Sequence, residues 1–307
     1  MSNSSIQNKK HILSKRKVMI LIALFVAFLW GSAFPTVVAT YGFLNVDVED
    51  VFQVMLFAGM RFFISAILLF TFAFLSKKSM KLTFRGFKLV LLLGLLQTFG
   101  QYLFFFLSMR TVHPANGSIL SSLGVFLTAI IAHFIYVNEK LTFKKIVGLI
   151  VGVSGIIILN GGTAGSLTLT GEGFMFISQF LGALAAVYTK KIAKEISPLV
   201  ISAYQLLFGS ILLITLGLTF SGSLNFTLTI TSTSALIYLG FISGAAFTLW
   251  SALIKHNKVS SVTIFKFAIP VFGVLITFIF MNEIFNLISV VISLIFVALG
   301  ILLINLD

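Results

Sequence analysis

Ten apolar stretches, each close to the length of a membrane-crossing helix, divide this sequence and decide the solvent it folds in. They are Val18–Val38, Val51–Leu75, Lys88–Ser108, Ala115–Val137, Lys145–Leu159, Gly173–Thr189, Pro198–Phe220, Ser234–Leu253, Val259–Met281 and Ile284–Ile304. A helix rising ~1.5 Å per residue needs ~20 mostly apolar residues to cross ~30 Å of hydrocarbon. Lipid offers the backbone no partner but itself, so such stretches fold as helices. Composition agrees: 59% of the 307 residues are hydrophobic and 9% charged, where a soluble domain carries about 25% charged residues. The expected fold is an all-α integral membrane protein with ten transmembrane helices and a lipid bilayer as its main partner. Gly161, Gly162 and Gly165 break the chain between the fifth and sixth helices. Pro114 and Pro198 stand at helix openings, where proline is tolerated.

The loops give the orientation. The first 17 residues, 76–87, 138–144, 190–197 and 254–258, with Lys88 and Lys145 at helix mouths, hold eighteen of the 21 Lys and Arg residues. The alternate loops hold Asp47, Glu49, Asp50, Glu172 and Glu283 with one basic residue, Arg110. The Lys/Arg-rich side is the cytoplasmic one, which places both termini in the cytoplasm of a multi-pass cell (plasma) membrane protein. The net charge of +13 is therefore loop charge and not the clustered basic face of a nucleic-acid binder. The apolar run after the basic tail at 1–17 is longer than the about 7–15 residues of a signal peptide's core, so it reads as a retained first helix. With no cysteine, disulfides and thiolate metal sites are excluded, and no metal or cofactor is implied. Oligomeric state is open.

The chain repeats itself at an offset of about 144 residues. Phe134-Ile135-Tyr136-Val137-Asn138-Glu139 matches Phe278-Ile279-Phe280-Met281-Asn282-Glu283, and Ile67-Leu68-Leu69 matches Ile211-Leu212-Leu213. Gly155-Ile156 matches Gly300-Ile301 one residue further on. A repeat of five helices must insert its second copy upside down. The expected organisation is a tail at 1–17, a first five-helix repeat at 18–160 and an inverted second repeat at 161–307. Inverted repeats suit alternating access around a site near the bilayer midplane.

Short motifs now identify a family. They are Trp30-Gly31-Ser32-Ala33-Phe34-Pro35, Arg61, Asn138-Glu139-Lys140-Leu141-Thr142, Gly148-Leu149-Ile150, Gly155-Ile156-Ile157-Ile158-Leu159, Pro270-Val271-Phe272-Gly273 and Asn282-Glu283. In this order and spacing the chain resembles the drug/metabolite transporter superfamily, in particular proteins built from two EamA-type five-helix units. The resemblance implies ten helices, both termini inside, a cavity between the halves and peripheral fifth and tenth helices. It also implies export or exchange of amino acids, nucleobases or related metabolites. Lys266 departs from the family pattern and loosens any assumption about substrate.

Two charges lie inside spans, Arg61 and Lys266. A charge at bilayer depth costs at least about 2.5–3.5 kcal/mol, so it faces a cavity or a partner. Either cation fits a substrate carboxylate or phosphate, Arg61 through its planar fork of donors. The competing readings are a structural tether for Arg61 and snorkelling for Lys266. No Asp or Glu lies deep in a span, which disfavours a buried acid relay and leaves both cations without an intramembrane counter-ion.

Polar stripes mark several helices, with Gln97 and Gln101 on the third, Gln179 on the sixth, and Tyr204 and Gln205 on the seventh. They fit a wet cavity, and equally helix–helix contacts; Gln205 aligns with Arg61 in the repeat. Trp30 sits mid-span, where a substrate-stacking ring is one reading, whereas Trp250 falls near a helix end, as an interfacial belt residue would. Pro35 and Pro270 are hinge candidates or static kinks. The lone span histidine His133 reads as a packing residue. The favoured function is an alternating-access exporter or exchanger of small polar metabolites such as amino acids. A sugar-phosphate, nucleotide-sugar or organic-anion antiporter is the alternative. A channel fits inverted halves less well, and the scarcity of His, Cys and mid-span acids argues against an enzyme.

Overall fold

The computed structural model describes residues 11–112, 117, 120–159, 168–222, 226–281 and 286–305, and every regular element among them is helical. After a short turn at Ile12–Ser14 come α1 (Arg16–Leu44), α2 (Val51–Leu75), α3 (Phe84–Met109), α4 (Leu123–Ile135) and α5 (Phe143–Leu159). The second half has α6 (Leu169–Ile192), α7 (Pro198–Phe220), α8 (Ile230–His256), α9 (Val259–Phe280) and α10 (Leu287–Asn305). Eight of these, all but α4 and α5, are long and apolar enough to cross a membrane. The described part of α4 has 13 residues, and α5 has 17 and carries Lys144 and Lys145 in its first turn. Pro114, Gly161, Gly162, Gly165, Asn282 and Glu283 lie outside the described residues.

Helix ends follow their capping chemistry. Ser197 accepts the Val200 N–H ahead of Pro198 in the first turn of α7. Thr229 and Ser232 cap α8 reciprocally. Asp50 accepts the N–H groups of Phe52 (2.9 Å) and Gln53 (3.4 Å) to start α2, and that of Gly222 (2.9 Å) from beyond α7. Partial burial pushes the Asp50 carboxyl up, but these three N–H bonds and the charge of Arg110 outweigh it and hold it below the ordinary value. A depressed folded pKa contributes stability that is fully present above the unfolded value of about 3.9 and is lost as pH falls through the lower, folded one. Asp50→Asn is therefore expected to lower thermal stability at neutral pH and to remove part of the acid-induced loss below about pH 4. Melting curves of the two proteins across pH 3–7 check this, and parallel curves would contradict it.

In the packing, α2 lies along α7, α5 along α10, α1 against α8 and α9, and α6 against α3 and α4. Small residues set the closest crossings. A Cβ on Gly31 of α1 would lie 2.9 Å from the Ile269 carbonyl oxygen of α9. Gly148 and Gly152, the small pair of α5, face α10 and Phe267 of α9.

Two helices depart from regular winding. α3 loosens into a π-helical segment at Gly94–Gly100, around Gln97, and α9 tightens into a 3₁₀ turn at Ile264–Phe267, which carries Lys266. Pro270 accounts for the second: it has no N–H, and its ring crowds the carbonyl four residues back, that of Lys266. Such segments recur at hinges and functional sites. Pro35, by contrast, lies buried within the continuous α1, where the hydroxyls of Ser32 and Thr36 bond back to the carbonyls of Leu29 (2.9 Å) and Ser32 (3.0 Å).

Candidate functional site

Arg61 comes from the middle of α2 and is 9% exposed. Its guanidinium lies over the Phe62 ring, 4.5 Å from the centroid, near the Tyr102 hydroxyl. Its Nε is buried without a partner. Among the described residues no carboxylate pairs with it, so the tether to the loop at Asp47, Glu49 and Asp50 is not formed there. Lys266, half-buried on the 3₁₀ turn of α9, holds its ammonium 5.8 Å from the centre of the Trp250 ring and likewise has no ion-pair partner among these residues.

A run of rings joins the two cations. Phe62 meets Tyr102 at 4.7 Å and Phe247 at 6.4 Å between centroids. Phe247 meets Trp30 at 5.6 Å, and Trp30 meets Trp250 at 5.1 Å. All four contacts are edge-to-face, the favoured geometry. The path from Arg61 to Lys266 thus crosses α2, α8 and α1 to α9, drawing on both halves of the chain. A guanidinium with a free N–H at one end, an ammonium at the other and ring faces between them can bind an anionic group on a planar or apolar body.

The remaining candidates fall into three places. Gln101 and Gln179 sit in the α3–α4–α6 packing: the Gln101 carbonyl accepts from Ser178 (2.8 Å) and its amide lies against Gly182, while Gln179 lies against Gly124 and contacts Met175 Sδ at 3.7 Å. Gln97 is buried on the π segment. Gln205, 0% exposed in α7, has neither amide atom hydrogen-bonded. A buried amide left in that state costs free energy unless water or a ligand meets it. Tyr204 stands apart, donating to the Met80 carbonyl (3.1 Å) and packing on Phe70. His133 accepts the Leu141 N–H (3.0 Å), the packing role expected of it.

Trp250 corrects a sequence expectation. It is 3% exposed, enclosed by Trp30 and Lys266, and not an interfacial belt residue. The belt reading failed because α8 continues past it to His256. Phe62, Tyr102 and Phe247 were not singled out from the sequence either. Among 35 phenylalanines only adjacency to Arg61 could have marked Phe62.

Apolar helices long enough to cross a bilayer, holding among aromatic faces two cations with no carboxylate partner among the described residues, define a class: a multi-pass helical membrane protein. The EamA-like transporter family matches residues 17–161 and again 169–306. The chain belongs to that family, within the drug/metabolite transporter superfamily. It is 30% identical over 220 residues to an uncharacterized transporter of Acidianus ambivalens, covering 70% of this chain and 80% of that one. It is 25% identical over 272 residues to the uncharacterized transporter YoaV of Bacillus subtilis (strain 168), covering 87% and 89%. A probable amino-acid metabolite efflux pump of Salmonella typhimurium (strain LT2) is 25% identical over 264 residues, covering 82% and 83%. One solved crystal structure superposes with a TM-score of 0.79 at 18% identity over 95% of this chain and 97% of that one, which establishes likeness of fold alone.

Proposed function

We propose that this protein is an alternating-access exporter or exchanger of small polar metabolites, amino acids or related compounds, in the plasma membrane. In this reading all ten helices cross, the repeats at 18–160 and 161–307 are inverted, and both termini are cytoplasmic. Supporting it, α6 packs on α3 and α4 as α1 packs on α8 and α9, the pairing a two-fold related repeat requires. The double match of one family to the two halves supports it too.

The observation that carries the reading is the ring-linked pair Arg61 and Lys266, two cations without carboxylate partners among the described residues. The cargo's anionic group would meet Arg61 or Lys266, its body would lie along Trp30, and Gln97, Gln101, Gln179, Gln205 and Tyr204 would border the path. Pro35 and Pro270 would be the flexing points. The same absence of a carboxylate among the described residues favours a second reading, an antiporter of organic anions or sugar phosphates, because the two cations there suit an anionic group.

Counterflow in proteoliposomes tests both. Vesicles preloaded with one amino acid, organic acid or phosphorylated sugar are expected to take up the labelled compound with saturable, trans-stimulated kinetics for one of these classes. Flux that rises linearly with concentration and ignores internal cargo would replace the transporter reading with a channel.

A further inference from the structure

Glu139 is the one buried carboxylate among the described residues, 2% exposed just beyond α4. It accepts the backbone N–H groups of Val259 (2.9 Å) and Ser260 (3.2 Å), which open α9, and it pairs with the Lys190 ammonium at the end of α6. Lys190 also donates to the Asn257 carbonyl (2.9 Å) between α8 and α9 and lies over the Tyr136 ring. Asn257 in turn donates to the Leu13 carbonyl (2.9 Å) ahead of α1. One carboxylate from the first half thus gathers three elements of the second half, all at the face that carries the Lys/Arg-rich loops. From the N–H groups it grips, α9 runs directly into the 3₁₀ turn that presents Lys266 to Trp250.

We propose that Glu139 is a positioning residue: paired with Lys190, it latches the Lys/Arg-rich end of the bundle shut and, through the start of α9, fixes where Lys266 stands. A buried carboxylate that loses its partners is strongly disfavoured, so the latch holds as a unit or not at all. Release lets the α9 start leave α4 and α6, which opens that face and moves Lys266 with it. Cargo that draws Lys266 away from Trp250 pulls on the same segment, so occupancy and opening are linked. The proposal goes beyond the cargo reading and rests on it only for the solute that would do the pulling.

The chain has no cysteine, so one introduced thiol reports cleanly. Ser251→Cys places it beside Trp250, on a buried α8 position 3.5 Å from Ser202, about 9 Å along the helix from Asn257. A membrane-impermeant maleimide is applied to inside-out and right-side-out vesicles. Glu139→Gln and Lys190→Met are each expected to raise the labelling rate from the Lys/Arg-rich face about tenfold, an order-of-magnitude population shift. The double variant adds little, and Lys190→Arg stays near the parent rate. Unchanged labelling in a folded Lys190→Met protein overturns the latch, as does a Lys190→Arg rate equal to that of Lys190→Met. Should Glu139→Gln fail to fold, the Lys190 pair decides alone. Labelling needs no cargo, so an absent counterflow signal removes the cargo reading and leaves this test standing.

Discussion

Neutralising Arg61 and Lys266 together, as Arg61→Gln with Lys266→Met, is expected to weaken cargo binding by about 100-fold or more while leaving the protein at least as heat-stable. A hydrogen bond to a charged group contributes about 1.5–3 kcal/mol, so each loss alone is worth roughly tenfold to a hundredfold in affinity. The stability half of the expectation separates the two roles open to Arg61. A cation that waits for cargo is an uncompensated cost, at least about 2.5 kcal/mol at bilayer depth, and removing it relieves the fold. A cation that ties helices together would lower the melting temperature when removed. Its contacts favour waiting: a ring face in Phe62, the Tyr102 hydroxyl nearby and an Nε that bonds nothing. Tryptophan fluorescence titration with the cargo found by counterflow reads the affinity, since Trp30 and Trp250 lie between the cations. Unchanged affinity in the double variant, or a melting temperature that falls with affinity intact, removes the cargo role.

The helices were legible because span length and apolarity are local properties. Pro198–Phe220 and Val51–Leu75 came out of the sequence with the bounds the structure has. Arg61 and Lys266 were legible for the opposite reason, since a charge stands out where every neighbour is apolar. What joins them was not. Phe247 and Trp250 reach Trp30 from a helix some two hundred residues later in the chain, and an apolar ring in an apolar helix carries no mark of its partner. Glu139 shows the same limit. Its Asn-Glu motif stands out because Asn282-Glu283 matches it in the sequence, but its partners lie 51 residues away at Lys190 and 120 at Val259, where spacing says nothing. The π segment of α3 had no signal beyond Gly94 and Gly100, whereas the 3₁₀ turn at Lys266 was foreshadowed by Pro270.

Gly300→Ala is expected to cost about 3 kcal/mol, the upper end for overpacking, and to lower the melting temperature by on the order of 10 °C. A Cβ there would lie 2.6 Å from the Gly148 carbonyl oxygen, 2.9 Å from the Gly152 nitrogen and 3.0 Å from the Gly152 Cα. All three obstacles are backbone, so no rotamer relieves them, and α10 must move away from α5. Water supplies no drive to bring the pair back together, because lipid is as apolar as the faces that part; close van der Waals packing is what holds them. The disturbance reaches α9 through Phe267, which rests on Gly152 and stands beside Lys266 in the 3₁₀ turn. Gly42→Ala in α1, with nothing within 4 Å of its added carbon, is the matched control and should melt no lower than the parent. A Gly300→Ala protein as stable as that control would mean that α5 and α10 separate freely, and their backbone contact would then hold nothing in place.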